Sequence, residues 1–258
     1  MIDVLSAEYL EETAPRILVL SDIHGHCGLG RALLAARREA PVAALVLLGD
    51  TCEPRGRVSS SCSEWRLAVS RLARESGASY VVYVEGNHDS GAERCLEGLA
   101  RVVRDYYILP GSDVAYLLTH GHLYERRWLE ECLWTRGFTT RESDECVVEW
   151  GRRVRRRLAL PGSMWLVLGH THRLIVDEPH RVIHAGALCE RVLSRLAIDW
   201  RRSLGYIVIR DQWVEIRRID PQGRLVSSIQ AAARPPGERL RGLRGVVGRL
   251  LARLRGSP

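Results

Sequence analysis

Five short clusters of metal-binding side chains punctuate this 258-residue chain, and each comes directly after an apolar run. The clusters are Asp22-Ile23-His24, Gly49-Asp50, Gly86-Asn87-His88-Asp89, Thr119-His120-Gly121-His122 and Gly169-His170-Thr171-His172. Short apolar runs rich in β-branched residues and leucine predict buried strands, so these side chains are expected at strand ends. Carboxylate, amide and imidazole ligands that converge from several strand ends suit a pair of divalent transition-metal ions.

Strands and helices alternate over the first half of the chain. Strands are predicted over 16–21, 43–48, 80–85 and 114–118, with helices over 28–40, 64–75 and 92–100 between them. This alternation predicts an α/β architecture with right-handed crossover connections.

The second half has a different pattern. Residues 123–160 are charge-dense and helical in periodicity, and a strand is predicted to return over 164–168. Strands at 173–176, 181–184, 206–210 and 214–219 are expected to be antiparallel. We therefore divide the chain into a domain over 1–230, with a helical insert at about 123–163, and a tail over 231–258.

The tail carries most of the net charge. All 38 basic residues are arginine, and the net charge of the chain is +7. From Ala231 onward there are seven arginines and one acid, Glu238, so the tail accounts for +6 of this charge. Leucine and valine recur at helical spacing between these arginines, which predicts a basic amphipathic helix. Such a helix packs on its own domain or on a second subunit, or it lies on a membrane surface.

The cysteines and the N-terminus set the expected environment. Seven cysteines form no C-x-x-C pair, and a chain of this size can bury a core without cross-links, so we expect no disulfide framework. Cys27 and Cys52 are expected to be small buried thiols. The N-terminus is acidic, and no run approaches the ~18 apolar residues of a membrane span. A cytoplasmic location, with peripheral membrane contact through the tail, is the expectation.

Taken in order, the motifs D-x-H, G-D, G-N-H-D, H-G-H and G-H-x-H resemble those of the calcineurin-like metallophosphoesterase superfamily. The match runs from Asp22 to His172. The resemblance implies a four-layer αββα sandwich of two mixed β-sheets flanked by helices, with the insert as a helical cap over the metals. It also implies a dinuclear metal-dependent phosphoesterase in which a metal-bridging hydroxide attacks phosphorus in line.

The family pattern implies a metal ligand set in this sequence. The first metal would be held by Asp22, His24 and His172, and the second by Asn87, His120 and His170. Asp50 would bridge the two. The implied cofactors are two divalent ions, with manganese favoured and iron, zinc, nickel or cobalt as alternatives.

The resemblance also implies catalytic roles. His88 resembles the family's general acid toward the leaving oxygen, and histidine suits proton transfer near neutral pH. Glu53 stands where the phosphoprotein phosphatases carry the aspartate that orients this histidine; the alternative is a solvated loop acid.

Substrate binding is assigned to arginines, because guanidinium groups suit phosphate. Arg126, Arg127 and Arg173 are the candidates. The arginines of the insert equally fit a solvated helix face paired with neighbouring acids.

The expected substrate is a phosphorylated small molecule or a nucleotide, and the motifs do not distinguish phosphomonoester, phosphodiester and pyrophosphate. The insert resembles that of UDP-2,3-diacylglucosamine pyrophosphatases, but those enzymes carry arginine at the position of His88. One alternative is a nuclease of the same superfamily, although nucleic acid is the less favoured partner. Another is a catalytically silent metal-binding scaffold.

Overall fold

Two β-sheets stacked face to face form the centre of the protein. The structure, a computed structural model, describes residues 16–52, 61–110, 114–124, 126–136, 139–195, 199–210 and 213–232. The described strands are β1 (Ile17–Leu20), β2 (Ala44–Leu48), β3 (Tyr80–Val84), β4 (Arg101–Val103), β5 (Tyr107–Pro110), β6 (Ala115–Thr119), β7 (Met164–Leu168), β8 (Leu174–Asp177), β9 (Val182–Ala185), β10 (Gly205–Arg210), β11 (Trp213–Ile219) and β12 (Leu225–Ala232). The described α-helices are α1 (His26–Glu39), α2 (Cys62–Ser76), α3 (Ala92–Cys95), α4 (Arg126–Arg136), α5 (Thr140–Arg157), α6 (Glu190–Arg195) and α7 (Trp200–Ser203).

Both sheets are mixed. The larger sheet has the order β12-β11-β10-β1-β2-β3-β4, in which β1 to β4 are parallel and β10 pairs antiparallel with β1. The smaller sheet has the order β5-β6-β7-β9-β8, in which β6, β7 and β9 are parallel and both edge strands are antiparallel. The predicted α/β class and its two mixed sheets are therefore confirmed.

Residues of each central strand alternate between two cores. In the larger sheet, Leu45 and Tyr83 belong to the core under α1 and α2, whereas Val46 and Val82 belong to the core between the sheets. This division follows from the two-residue period of a strand, and it requires both faces to be apolar. The unbroken apolar runs of β1, β2 and β3 are the sequence counterpart of this double burial.

The insert between His120 and His170 forms the fourth layer of the sandwich. The buried face of α4 and α5 contributes Leu129, Val147 and Trp150 to a core shared with β6 and β7. The apolar face of these helices therefore packs on the outer face of the smaller sheet, and the role of the insert as a cap over the metals stays a prediction. Four layers result, in the order helix, sheet, sheet, helix.

The expectation that the chain lacks disulfides is wrong. Three disulfides join Cys27 to Cys189, Cys62 to Cys95 and Cys132 to Cys146. Cys27 is therefore not a thiol, whereas Cys52 is a buried free thiol as expected. Odd cysteine number and the missing C-x-x-C pattern carried no information, because partners 162, 33 and 14 residues apart meet only in the fold.

Most predicted elements are present, with shifted ends. The helix predicted over 92–100 is shorter, since α3 ends at Cys95, and β4, β5 and β12 were not predicted. Among the described residues, no helix is long and apolar enough to cross a membrane. The tail from residue 233 onward lies outside the described residues, so its predicted helix and its membrane or subunit contact stay predictions, as does the cytoplasmic location.

Candidate metal centre

The five clusters all lie at the carboxyl ends of parallel strands. Asp22 and His24 follow β1, Asp50 follows β2, and Asn87 and His88 follow β3 in the larger sheet. His120 follows β6, and His170 and His172 follow β7, in the smaller sheet. Parallel strands present their carboxyl ends at one edge, so stacking the two sheets brings the five loops together.

Five of the seven predicted ligands have a backbone conformation that side chains rarely adopt. The φ angles are 50° for Asp22, 51° for His24, 47° for Asp50, 65° for His170 and 56° for His172. Among the other described non-glycine residues, only Ala159 and Arg181 have positive φ. Strained conformations of this kind persist where the surroundings hold them, and they concentrate at functional sites.

We call the set Asp22, His24 and His172 the first metal subsite. The Nε2 atom of His172 lies 2.9 Å from Oδ1 of Asp22 and 3.3 Å from Nε2 of His24. One donor atom of each of the three lies within 4.8 Å of the others, and all three residues are buried. Among the described residues, none makes a hydrogen bond of good geometry to Oδ1 of Asp22, so a buried, ionisable oxygen faces two imidazole nitrogens. That donor set fits a divalent cation.

We call Asn87, His120 and His170 the second metal subsite. Nε2 of His120 lies 3.2 Å from Oδ1 of Asn87 and 3.4 Å from Oδ2 of Asp50. The ring centroids of His120 and His170 are 5.2 Å apart. Donor atoms of Asp22, Asp50 and His120 also lie within 4.8 Å of one another. The two carboxylates therefore connect the two subsites, and the predicted ligands are brought together at one place.

The surroundings of Asp22 and Asp50 lower the pKa of each carboxyl group and so favour its ionised form. Burial opposes the charge of Asp22, but the neighbouring His172 outweighs it, and the pKa of Asp22 is lowered. Burial likewise opposes the charge of Asp50, while the hydrogen bond and charge of His120 bring its pKa well below the ordinary value. Two ionised carboxylates in a buried site attract cations strongly, since the low local dielectric weakens screening.

The pKa values of the histidines in the centre are shifted in opposite directions. Burial and the charge of His120 lower the pKa of His170 to about 3. The pKa of His120 is raised to about 9, because its hydrogen bond and charge interaction with Asp50 outweigh its burial. Burial also lowers the pKa of His24. A metal ligand must be deprotonated, so cation binding at His120 displaces a proton.

His88 lies at the mouth of the centre. Its backbone N–H donates to Oδ1 of Asp50 at 2.9 Å, and its Nε2 lies 3.9 Å from Oδ2 of the same carboxylate. Its side chain is 32% exposed, whereas that of Asp50 is 2% exposed. The imidazole thus adjoins the buried ligands and still reaches solvent.

Two positioning residues were not predicted from the sequence. Asp89 is fully buried, and its Oδ2 accepts from the backbone N–H groups of Asp50 at 2.6 Å and Gly86 at 2.8 Å. Burial and the charge of Asp50 raise the pKa of Asp89 to about 7. The hydroxyl of Ser21 lies within hydrogen-bond distance of Oδ2 of Asp22 and of the carbonyl oxygen of Leu48, and it donates its one proton to either acceptor. The G-N-H-D motif contains Asp89, but the motif does not reveal its backbone partners.

The other predicted site residues are Glu53, Arg126, Arg127 and Arg173. Among the described residues, no contact connects them to the two metal subsites. Glu53 and the side chain of Arg126 lie outside the described residues. Arg127 is exposed. Arg173 is buried; its Nη2 donates to the hydroxyl of Ser143, and its Nε lies 3.5 Å from Asp144.

The arginine run of α5 is mostly engaged within the protein. Arg152 pairs with Asp177 at 2.7 Å and Arg156 with Glu149 at 2.7 Å. Arg155 donates to the carbonyls of Met164 and Pro161. This supports the interpretation that most of these arginines serve the helix surface rather than a ligand.

A four-layer sandwich with buried carboxylates and imidazoles gathered at its strand ends defines a metal-binding α/β protein of the metallophosphoesterase type. The sequence agrees with this class: the family model described as Calcineurin-like phosphoesterase superfamily domain matches residues 16–197. The chain belongs to the calcineurin-like phosphoesterase superfamily. No curated protein matches it.

The chain also matches solved structures. YfcE, a phosphoesterase from E. coli, is 17% identical with a TM-score of 0.51, over 83% of this chain and 98% of that chain. A conserved protein from Streptococcus pneumoniae is 14% identical, with a TM-score of 0.46, over 84% and 97% of the two chains. A dimetal phosphatase from Danio rerio is 11% identical, with a TM-score of 0.44, over 86% and 100%. At this identity the likeness to YfcE supports the sandwich fold.

Proposed function

We propose that the protein is a dinuclear metal-dependent phosphoesterase that hydrolyses a phosphomonoester, phosphodiester or pyrophosphate. The observation that carries the proposal is the overlap of two buried donor sets, Asp22 with His24 and His172, and Asp22 with Asp50 and His120. One ion would be held at the first metal subsite and one at the second, with Asp50 shared between them. When bound, two divalent ions polarise phosphoryl oxygens and lower the pKa of water for attack on phosphorus. Manganese is favoured, and iron, zinc, nickel and cobalt accept the same ligand types.

We assign separate roles in the reaction to Asn87 and His88. Asn87 offers an amide oxygen without a charge, so it adds no repulsion toward an anionic substrate. We assign to His88 the protonation of the leaving oxygen, and its imidazole beside Asp50 and its partial exposure support this role. The N–H of His88 donates to Oδ1 of Asp50, which leaves Oδ2 directed toward His120.

Arginine side chains are the proposed substrate contacts. Arg127 is exposed and available to a phosphate. Arg173 is the weaker candidate, because Ser143 and Asp144 already engage its guanidinium. Glu53 and Arg126 remain proposed as the orienting carboxylate and a phosphate contact.

Hydrolysis of p-nitrophenyl phosphate and of its bis ester tests the proposal. We expect His88→Asn and Asp50→Ala each to lower turnover by about 10²-fold or more, since each removes a proton donor or a shared ligand. His180→Asn is the matched control, because His180 pairs with Asp177 between β8 and β9. Near-wild-type turnover by His88→Asn or Asp50→Ala would refute the assignment.

A substrate panel separates the remaining possibilities. It contains nucleotide pyrophosphates, cyclic nucleotides and oligonucleotides, each assayed with manganese, iron, zinc, nickel and cobalt. Preferred cleavage of oligonucleotides would favour the nuclease alternative. Tight metal binding with no turnover of any phosphoester would favour the silent scaffold.

A further inference from the structure

A disulfide bond adjoins the loop that carries Asp22 and His24. Cys27, in the first turn of α1, is bonded to Cys189, which is 162 residues away in sequence and 1% exposed. Cys189 follows β9 of the smaller sheet, whereas Cys27 follows β1 of the larger sheet. The bond therefore links the helix after β1 of the larger sheet to the segment after β9 of the smaller sheet, three residues after a predicted metal ligand.

Hydrogen bonds reinforce the same junction. The N–H of Leu188 donates to the carbonyl of Asp22 at 3.1 Å. Nη1 of Arg31 donates to the carbonyls of Cys27 at 3.0 Å and Leu188 at 3.1 Å, and its Nη2 donates to Glu190 at 3.0 Å. The segment after β9 is thus tied directly to the backbone of a metal-binding residue.

The junction is also tightly packed. A Cβ atom at Gly28 would lie 2.3 Å from the carbonyl oxygen of Ile23 and 3.0 Å from the carbonyl carbon of Leu188. The backbone of α1 is therefore in direct contact with the backbone of the loop after β1 and with that of the segment after β9. Only glycine permits this approach, so displacement of one segment is transmitted to the others.

The geometry of the first metal subsite depends on this junction. Asp22 and His24 have φ angles of 50° and 51°, and strained backbone of this kind relaxes when its surroundings loosen. Both residues follow β1 of the larger sheet, and they face His172, which follows β7 of the smaller sheet, at 2.9 Å and 3.3 Å. A covalent link between α1 and the segment after β9, next to this loop, helps to set those distances.

We propose that the Cys27–Cys189 disulfide is a positioning device for the first metal subsite, and that its reduction weakens metal binding there. The inference rests on the dinuclear site of the proposed function. A dithiol reductant is the required partner: it transfers two electrons and two protons, the S–S bond becomes two thiols, and the reductant becomes its own disulfide. Cys27 is half-buried, which gives the reductant access to the bond.

The chain provides a matched control. Cys132 and Cys146 form a disulfide of 14-residue separation that joins α4 to α5 in the outer layer. Both residues lie inside helices of the insert, not in the loops that carry the predicted ligands. Cys132→Ser/Cys146→Ser removes this bond, just as Cys27→Ser/Cys189→Ser removes the bond next to the first metal subsite. The two variants carry the same chemical change and differ only in which disulfide is lost.

Equilibrium dialysis of the chelator-stripped full chain against Mn²⁺ measures the effect without reference to turnover. We expect Cys27→Ser/Cys189→Ser to bind one of two ions about 10- to 100-fold more weakly than wild type, the usual effect of losing a group that orients a ligand. Cys132→Ser/Cys146→Ser is expected to retain both affinities. Equal affinities in the two variants would overturn the inference and leave the proposed function intact.

A second protein keeps the inference testable if the serine variant does not fold. Cys62→Ser/Cys95→Ser/Cys132→Ser/Cys146→Ser retains only the Cys27–Cys189 bond. It is titrated with Mn²⁺ before and after dithiothreitol, and loss of one tight ion on reduction supports the inference. Unchanged affinity overturns it. Absence of Mn²⁺ binding by wild type would instead refute the proposed function, and this inference with it.

Discussion

The ligand residues combine strained backbone with very close packing. A Cβ atom at Gly86 would lie 2.2 Å from Oδ1 of Asp50, and one at Gly169 would lie 2.5 Å from Oγ of Ser21. The glycines of G-N-H-D and G-H-x-H are therefore required by the approach of one loop to the next. The positive φ angles of Asp22 and Asp50 turn the backbone sharply where β1 and β2 end.

Asp89 is expected to hold Asp50, the proposed bridging ligand, in place. Asp89→Ala leaves the buried N–H groups of Asp50 and Gly86 without their acceptor, and an unsatisfied buried group costs about 1–3 kcal/mol. We expect a lower free energy of unfolding and weaker Mn²⁺ binding. Asp89→Asn keeps an acceptor oxygen and should be the milder change. Urea unfolding with chelator present, and Mn²⁺ titration, measure both; equal effects of the two substitutions would contradict this role.

His184 is expected to make stability depend on pH. Burial lowers its pKa to about 3 in the folded chain, against an ordinary value of 6.5. The unfolded chain therefore binds a proton that the folded chain excludes. This contribution to stability is complete above pH 6.5 and is lost as pH falls toward 3.

The variant His184→Leu isolates this contribution. Between pH 6 and pH 4 we expect wild type to lose up to about 1.4 kcal/mol per pH unit relative to the variant. Urea unfolding at several pH values with chelator present measures the difference. Parallel pH profiles of the two proteins would show that His184 takes up its proton in the folded state.

At the residue level, the sequence located the clusters of ligand-type side chains but not the residues that support them. Strand ends and two-residue spacing pointed to Asp22, His24 and His172 as metal-binding side chains, and the family resemblance grouped them around one ion. Ser21 and Asp89 act through backbone atoms of other loops, and such contacts leave no periodic pattern. The disulfide partners were missed for the same reason.

At the level of elements, α5 is a structural helix with one apolar face. Trp150 is fully buried, donates its Nε1–H to the carbonyl of Tyr124 at 2.9 Å and packs beside His184. A Cβ atom at Gly121 would lie 2.7 Å from its ring, so this tryptophan also fixes the turn after His120. The insert thus supports the second metal subsite from behind the sheet.

Trp150→Ala should destabilise the fold strongly. Truncating a fully buried aromatic residue costs about 3–5 kcal/mol, through lost burial and the cavity that remains. Trp134→Ala is the matched control, since Trp134 on α4 is 83% exposed and should change stability by less than about 0.5 kcal/mol. Urea unfolding compares the two. Similar losses from both substitutions would contradict the assignment of α5 to the outer layer.

Element prediction succeeded where burial imposes a simple pattern. β1, β2, β3 and β7 are apolar throughout because both of their faces are covered. β4 is short and partly exposed, and β12 lies at the edge of its sheet, so neither carries that pattern. The helices of the insert were predicted, but their place as a layer depends on a core formed with distant strands.

At the level of the whole molecule, the site exists only when the two sheets are stacked. Asp22 and His172 are 150 positions apart in the sequence and follow strands of different sheets, yet their donor atoms are 2.9 Å apart. The core between the sheets, which includes Val19 and Val167, holds them at this distance. Fold stability and metal affinity are therefore coupled.

Metal titration of the chelator-stripped chain, with hydrolysis of p-nitrophenyl phosphate followed in the same samples, tests the central claim most directly. We predict that two Mn²⁺ ions bind per chain and that hydrolysis appears as the second ion binds. Asp50→Ala should lose both the second ion and the hydrolysis. Undiminished hydrolysis by the stripped chain, or no Mn²⁺ binding by wild type, would contradict the account.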